Sequence, residues 1–318
     1  MIKLDTIDKK ILSELDKDSR KSCREIGKKL RLSTEVVNYR VKKLEDSGVI
    51  TAYTLVVNLS KLGVIQFKIL LSFQHLKSEK LEKIIEKLKE NKSVKWIVSC
   101  KGSWDMIISL EAFSLKEVEL LKSQILSHFD LYVSKKAIAI CTDASTFNRT
   151  YFSNIVQRNE MILVDSLKGA ELDNIDMNIV KKLSLNSRKS IVDIAFELKT
   201  SVRIVNYRIK QLVKNKIITG FRIAIDYSKL GIQFYKLLIY LENPNEEQIK
   251  DYIDYFKNNK NLIHHVRVLG SWDFEPEFEV YSEQEFNDIL KEMKDKFSNV
   301  IKNVEIVTIS KEHKFVYF

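Results

Sequence analysis

Leu32-Ser33-Thr34-Glu35-Val36-Val37-Asn38-Tyr39-Arg40-Val41-Lys42-Lys43-Leu44 decides the fold, and the chain carries it nearly twice. The second version, Thr200-Ser201-Val202-Arg203-Ile204-Val205-Asn206-Tyr207-Arg208-Ile209-Lys210-Gln211-Leu212, keeps the serine and the whole Val-Asn-Tyr-Arg core. In both, apolar residues recur at i, i+4 and i+7 (Val37, Val41, Leu44; Val205, Ile209, Leu212), the single buried stripe of an amphipathic helix. Thr34, Asn38 and Lys42 fall four apart on a free side, beside Glu35 and Tyr39. Ser33 is a preferred N-cap residue. The pattern predicts a short basic helix suited to a groove of DNA, present in two copies.

Working outward, Asp5 to Asp16 reads as a helix with Ile7, Ile11, Leu12 and Leu15 on one side. Ser22-Cys23-Arg24-Glu25 is a capping box that opens a second helix, and Ser190-Ile191-Val192-Asp193 is its copy. A three-residue turn, Arg31-Leu32-Ser33, then leads into the decisive helix, which makes the unit a helix-turn-helix. Gly48 to Val57 is β-branched and fits a wing strand. Beyond Gly63 the pattern becomes strand (Gln66–Gln74), helix (Glu79–Glu90), two strands (Lys95–Cys100, Met106–Glu111), helix (Leu115–His128) and strand (Ala137–Cys141). That βαββαβ order predicts a ferredoxin-like sandwich with helices on one face and the other face open. Asn38 recurs as Asn206, Gly63 as Gly231 and Gly102-Ser103-Trp104-Asp105 as Gly270-Ser271-Trp272-Asp273, always displaced by 168 positions (206 − 38). The expected class is α+β, a tandem duplication of a winged helix-turn-helix followed by a ferredoxin-like βαββαβ domain. Its expected bounds are 1–60 and 61–145, a linker at 146–171, then 172–228 and 229–318.

Composition supports packed structure: 45% of residues are hydrophobic, with only 8 Gly and 2 Pro. The net charge of +10 is concentrated. Residues 1–52 hold 13 Lys and Arg against 9 Asp and Glu, and residues 172–220 hold 10 against 4. A polyanion touching two separate modules is the partner this implies. Cys23, Cys100 and Cys141 are odd in number and fit no metal-ligand spacing, which predicts reduced thiols in a cytoplasmic protein. The start resembles no signal peptide, and no apolar run approaches a membrane helix, so no membrane partner is expected. No motif calls for a catalytic set, a metal or a cofactor. His264 and His265, adjacent on a strand, should point to opposite sides.

Leu4-Asp5-x-x-Asp8-x-x-Ile11-Leu12, then Leu32-Ser33-x-x-x-Val37-x-x-Arg40-Val41-x-x-Leu44-Glu45-x-x-Gly48-Val49-Ile50, then a βαββαβ unit with a Gly-x-x-Asp turn, resembles the Lrp/AsnC family of feast/famine transcriptional regulators. The resemblance implies sequence-specific binding to double-stranded DNA, pairing of the βαββαβ domains through their sheets, and small effectors, such as an amino acid, bound near the Gly-x-x-Asp turn. Carried onto this chain, that turn is Gly102 to Asp105 and Gly270 to Asp273. Two full copies depart from the family pattern, and the second is looser, with Val213 for Glu45 and Lys216 for Gly48. Tandem copies imply an intramolecular pseudo-dimer, which further homo-oligomerisation could extend. An alternative is the siroheme decarboxylases of haem synthesis, which are similar in both domains. Against it, the five His occupy no repeated position. A third reading is a non-specific DNA-packaging protein.

On the favoured reading the DNA-binding residues are Ser33, Thr34, Glu35, Asn38, Tyr39, Arg40, Lys42 and Lys43, then Ser201, Arg203, Asn206, Tyr207, Arg208 and Lys210. The amides of Asn38 and Asn206 suit bidentate pairing with adenine, while Lys42, Arg203 and Lys210 suit phosphates. Arg40 and Arg208 lie near the buried stripe and could instead tie the helix to its module. Thr34 and Glu35 correspond to Val202 and Arg203, so an imperfect palindrome is expected, with half-sites roughly 34 Å apart. In the second sheet, a three-residue hairpin loop would set Arg267 opposite Glu275 and His265 opposite Glu277, leaving an apolar face of Val266, Val268, Phe274 and Phe278. The resulting acidic row suggests a site for a cation or an amine, and Arg267 and Glu275 join the two turns as candidate effector residues.

Overall fold

Asp5, Ser22 and Ser33 each accept a hydrogen bond from the backbone N–H three residues on, so three short helices start where the polar caps stand. The computed structural model describes residues 1–153, 158–165 and 169–316. Those helices are α1 (Thr6–Lys17), α2 (Cys23–Leu30) and α3 (Thr34–Asp46). They are followed by β1 (Ile50–Val57), β2 (Ile65–Phe73), α4 (Ser78–Glu90), β3 (Val94–Gly102), β4 (Met106–Ala112), α5 (Leu115–Ser127) and β5 (Val133–Phe147). A strand β6 (Glu160–Val164) lies inside the expected linker and pairs with β5. The succession then recurs as α6 (Asn174–Leu185), α7 (Ile191–Glu197), α8 (Val202–Lys214), β7 (Ile218–Ile225), β8 (Gln233–Leu241), α9 (Glu246–Asn258), β9 (Leu262–Leu269), β10 (Phe274–Val280), α10 (Glu283–Lys296) and β11 (Ile301–Phe315). Among the described residues no helix is long and apolar enough to cross a membrane.

The two halves face each other across a pseudo-two-fold axis. Around such an axis a residue can touch its own counterpart only where the axis passes. Among the described residues, three such contacts stand at the 168-residue offset. Ser19 Oγ lies 2.7 Å from Ser187 Oγ, Thr54 Oγ1 donates to the Arg222 carbonyl at 3.1 Å, and the Trp104 and Trp272 rings lie 6.4 Å apart. The pairing is therefore satisfied within one chain.

The strand expected as a wing does something else. β1 pairs antiparallel with β7 of the other half, forming a two-stranded ribbon, and each head packs on the strand from the opposite half, α1 on β7 and α6 on β1. The equivalent bonds Ser19 N–H to Phe221 and Ser187 N–H to Tyr53 pin each head to it. A lone strand leaves a row of unpaired N–H and C=O groups, and the counterpart strand satisfies them better than a local hairpin.

Nor does either sheet keep an open face. The strand order β2-β4-β3-β11-β8-β10-β9-β5 closes on itself through β2–β5, so all the strands of the large sheet except β6 form a barrel. Its two seams, β3–β11 and β5–β9, are equivalents of one another. The helices pack outside over two apolar layers, one around Phe67, Ile97 and Ile125, the other around Tyr252, Phe256 and Phe278. A third core fills the barrel with Val98, Trp104, Leu238, Val266, Trp272 and Val307.

The Gly-Ser-Trp-Asp turns make the seams close. Gly102 has φ +106°, and a Cβ there would stand 2.5 Å from the Ile306 carbonyl. One at Gly270 would meet the equivalent Ile138 carbonyl at 3.0 Å. We expect Gly102→Ala to destabilise the fold by about 1–3 kcal/mol through backbone strain and this clash, and Gly270→Ala by less, as read from urea unfolding.

Candidate nucleic-acid interface

The helix-turn-helix angle in the first head depends on Gly27, since a Cβ there would lie 2.7 Å from the Leu32 carbonyl. The second head has Ala195 at that position, and α7 ends one residue earlier than its counterpart. Ser33 and Ser201 spend their hydroxyls as caps, accepting from Val36 N–H and Ile204 N–H at 3.2 Å each. With the apolar stripe at or below 8% exposed, α3 and α8 turn their remaining faces outward. Glu35, Asn38, Lys42, Lys43, Arg203 and Lys210 are exposed, Thr34 and Asn206 half-buried, and Tyr39 and Tyr207 are 71% and 59% exposed.

The cations on these helices divide into two kinds. Arg40 donates to Asp5 at 2.6 Å and Asp8 at 2.7 Å, and Arg208 pairs with Asp173 at 2.8 Å and Asp176 at 3.2 Å. Each guanidinium thus straps its reading helix to the first helix of its own head. Among the described residues Lys42, Lys43, Arg203 and Lys210 have no carboxylate partner. A cation left unpaired on an exposed face keeps its charge available to a polyanion.

The candidate effector residues are placed differently. Asp105 accepts from Phe73 N–H at 2.7 Å and Asp273 from Leu241 N–H at 2.8 Å, so both carboxylates serve strand ends. The hairpin register is shifted by one residue from the expected one: Arg267 stands opposite Phe274, Val266 opposite Glu275, Pro276 opposite His265 and His264 opposite Glu277. The expectation assumed one wet face, on which binary pattern dictates pairing. In a closed barrel β10 is buried on both faces, and charge pairing decides instead. Glu275, fully buried, accepts from both Lys68 and Lys236, and Lys236 also reaches Glu277. The amine that the acidic row awaited is the chain's own. Burial works to raise the Glu275 carboxyl, but the two ammoniums overcome it and hold it at about 2. His264 and His265 point to opposite sides, His265 among Tyr252, Phe256 and Phe274.

A second buried network escaped the sequence reading. Asp16 accepts from Arg149 at 2.9 Å and Arg222 at 3.0 Å, and Arg149 also pairs with Glu279 at 2.9 Å. It joins the first head, the ribbon and the barrel. Arg222 in an otherwise apolar strand was the available signal, because a lone charge there needs a buried partner. The second head has Ser184 where the first has Asp16, so the heads are anchored unequally.

A family model described as winged helix-turn-helix DNA-binding matches residues 4–51. The HTH-type transcriptional regulator Ptr1 of Methanocaldococcus jannaschii is 37% identical over 119 residues, 37% of this chain and 76% of Ptr1. LrpA of Pyrococcus horikoshii is 39% identical over 99 residues, 31% of this chain and 69% of LrpA. This chain belongs to the Lrp/AsnC family of transcriptional regulators. These family members match about a third of it. Over its whole length the fold is also similar to the siroheme decarboxylase NirDL, with TM-score 0.61 and 12% identity, covering 98% of this chain and 93% of NirDL. At that identity the likeness concerns fold alone.

Proposed function

We propose that this protein is a sequence-specific double-stranded DNA-binding transcriptional regulator in which one chain does the work of a family dimer. The observation that carries this reading is the pair of outward-facing reading helices, on which Lys42, Lys43, Arg203 and Lys210 have no carboxylate partner among the described residues, mounted on one ribbon across a pseudo-two-fold axis. Asn38 and Asn206 read base edges, while Lys42, Lys43, Arg203 and Lys210 meet phosphates and Tyr39 and Tyr207 flank them. Arg40 and Arg208 position the helices. Because α3 and α8 differ at Thr34/Val202 and Glu35/Arg203, the two half-sites differ.

Asn38→Ala with Asn206→Ala should reduce discrimination between the cognate site and random duplex by about 1–3 kcal/mol per site, whereas Lys42→Ala should weaken all duplexes alike. Competition gel shifts on a site selected from random DNA measure both. Equal losses on cognate and random duplex would favour packaging without sequence preference. A siroheme decarboxylase is the second reading; it shares the fold of NirDL and requires a tetrapyrrole to bind. The absorbance spectrum of siroheme on addition of the protein separates the two.

A further inference from the structure

One end of the barrel, beneath the ribbon strand β7, holds a cavity of about 100 Å³ that the DNA-reading helices do not use. At roughly 10–15 Å³ per water, it has room for about eight non-hydrogen atoms. It opens toward a surface groove between β7 and β11, with Tyr227 and Glu312 common to both.

The cations on its wall are already matched. Lys68 is held by Glu275, Lys95 pairs with Glu111 at 3.1 Å, and Arg149 with Asp16 and Glu279. Glu277 is held by Lys236, and Glu312 at the rim accepts from Trp96 Nε1 at 2.8 Å. An anionic ligand would have to break one of these pairs, and Glu312, which has no ion pair among the described residues, is pushed up by burial to about 7. What is left over is neutral hydrogen-bonding capacity. Ser109 is 2% exposed, its hydroxyl has no partner among the described residues, and it lines the cavity. The side chains of Gln66, Tyr227 and His264, on the same wall, form no hydrogen bond with any other described residue. Desolvation keeps the His264 imidazole uncharged, down to about 3. The rings of Trp96, Tyr227 and Phe234 supply the apolar part of the lining.

We propose that this cavity binds a small uncharged ring of nucleobase size, hydrogen-bonded through Ser109 and His264 and packed against Trp96 and Phe234. A few neutral donors and acceptors on an aromatic wall select such a molecule, because a buried hydroxyl without a partner costs free energy that an amide-like edge recovers. The ligand would bridge the ribbon that carries both heads and the barrel beneath it. A regulatory role for it rests on the DNA-binding reading; the binding itself does not.

The test is calorimetric titration of the full chain, without DNA, with uracil, and with orotate as the same ring bearing a carboxylate. Uracil is expected to bind at one site per chain and orotate not to bind. Ser109→Ala should weaken uracil about fivefold, the loss of one hydrogen bond. Ser109→Leu, which fills the space, should abolish binding, with thermal melting showing that both variants remain folded. Should Ser109→Leu fail to fold, Ser109→Ala and His264→Phe carry the test. No heat with uracil, equal binding of orotate, or variants that bind like the parent would overturn the proposal. Gel shifts with and without uracil then read the regulatory role separately.

Discussion

Replacing Glu275 with glutamine is expected to destabilise the chain by about 3–5 kcal/mol, because it leaves Lys68 buried without any carboxylate. Lys68 and Lys236 are counterparts at the 168-residue offset, and both converge on this one acid. Its own counterpart is Ile107, so only the second half supplies the charge. Two first halves pairing with each other would bury two lysines with no acid between them. The arrangement therefore discriminates against like-with-like association as well as favouring the unlike pair. Adding Lys68→Met to Glu275→Gln should recover most of the loss, since Lys236 and Glu277 then remain as a matched pair. Urea unfolding of the single and double variants measures this. A single variant costing less than about 1 kcal/mol, or a double variant no better than the single, would remove Glu275 from this role.

The second large effect is a fall in stability with acid, concentrated below pH ~4.5. Glu275 sits at about 2 in the folded chain against an ordinary value near ~4.3, so its contribution is complete above that value and is lost as pH falls toward 2. A difference of that size corresponds to about 3 kcal/mol. Asp16 and Glu277 are buried too, but their Arg and Lys partners outweigh burial and hold them low, with the same sign. The histidines act earlier. Desolvation holds His264 at about 3 and His265 at about 4, so the unfolded chain takes up their protons first and stability declines from near pH ~6.5. Glu111 and Glu312 oppose this stage: burial pushes both up to about 7, so the folded chain takes up those protons first. The expected profile is nearly level between about pH 6.5 and 4.5, where the two histidines and the two raised carboxyls offset one another, and declines steeply below. Unfolding free energies across that range test it, and a flat profile down to about pH 3 would contradict the assignment of these buried carboxylates.

Much of this molecule was legible in its residues. The caps at Ser22 and Ser33, the helical stripes and the βαββαβ succession all rest on interactions within a few positions, which is why local pattern reports them. The constant offset of 168 likewise announced the repeated architecture. The possibility that Arg40 and Arg208 brace their helices could be raised from their place near the stripe, but their acidic partners appear only with α1 and α6 in position.

What the sequence by itself determined, then, is the set of elements, the side of each helix that is buried and the side chains offered to a duplex. Whether β1 would be a wing or half of a ribbon, which strands would close the barrel, and the register of β9 on β10 were decided only in three dimensions. Each depends on partners far away in the sequence, beyond the reach of local pattern. Once both faces of a sheet are covered, alternation no longer distinguishes inside from outside, and matching buried lysines to buried glutamates sets the pairing.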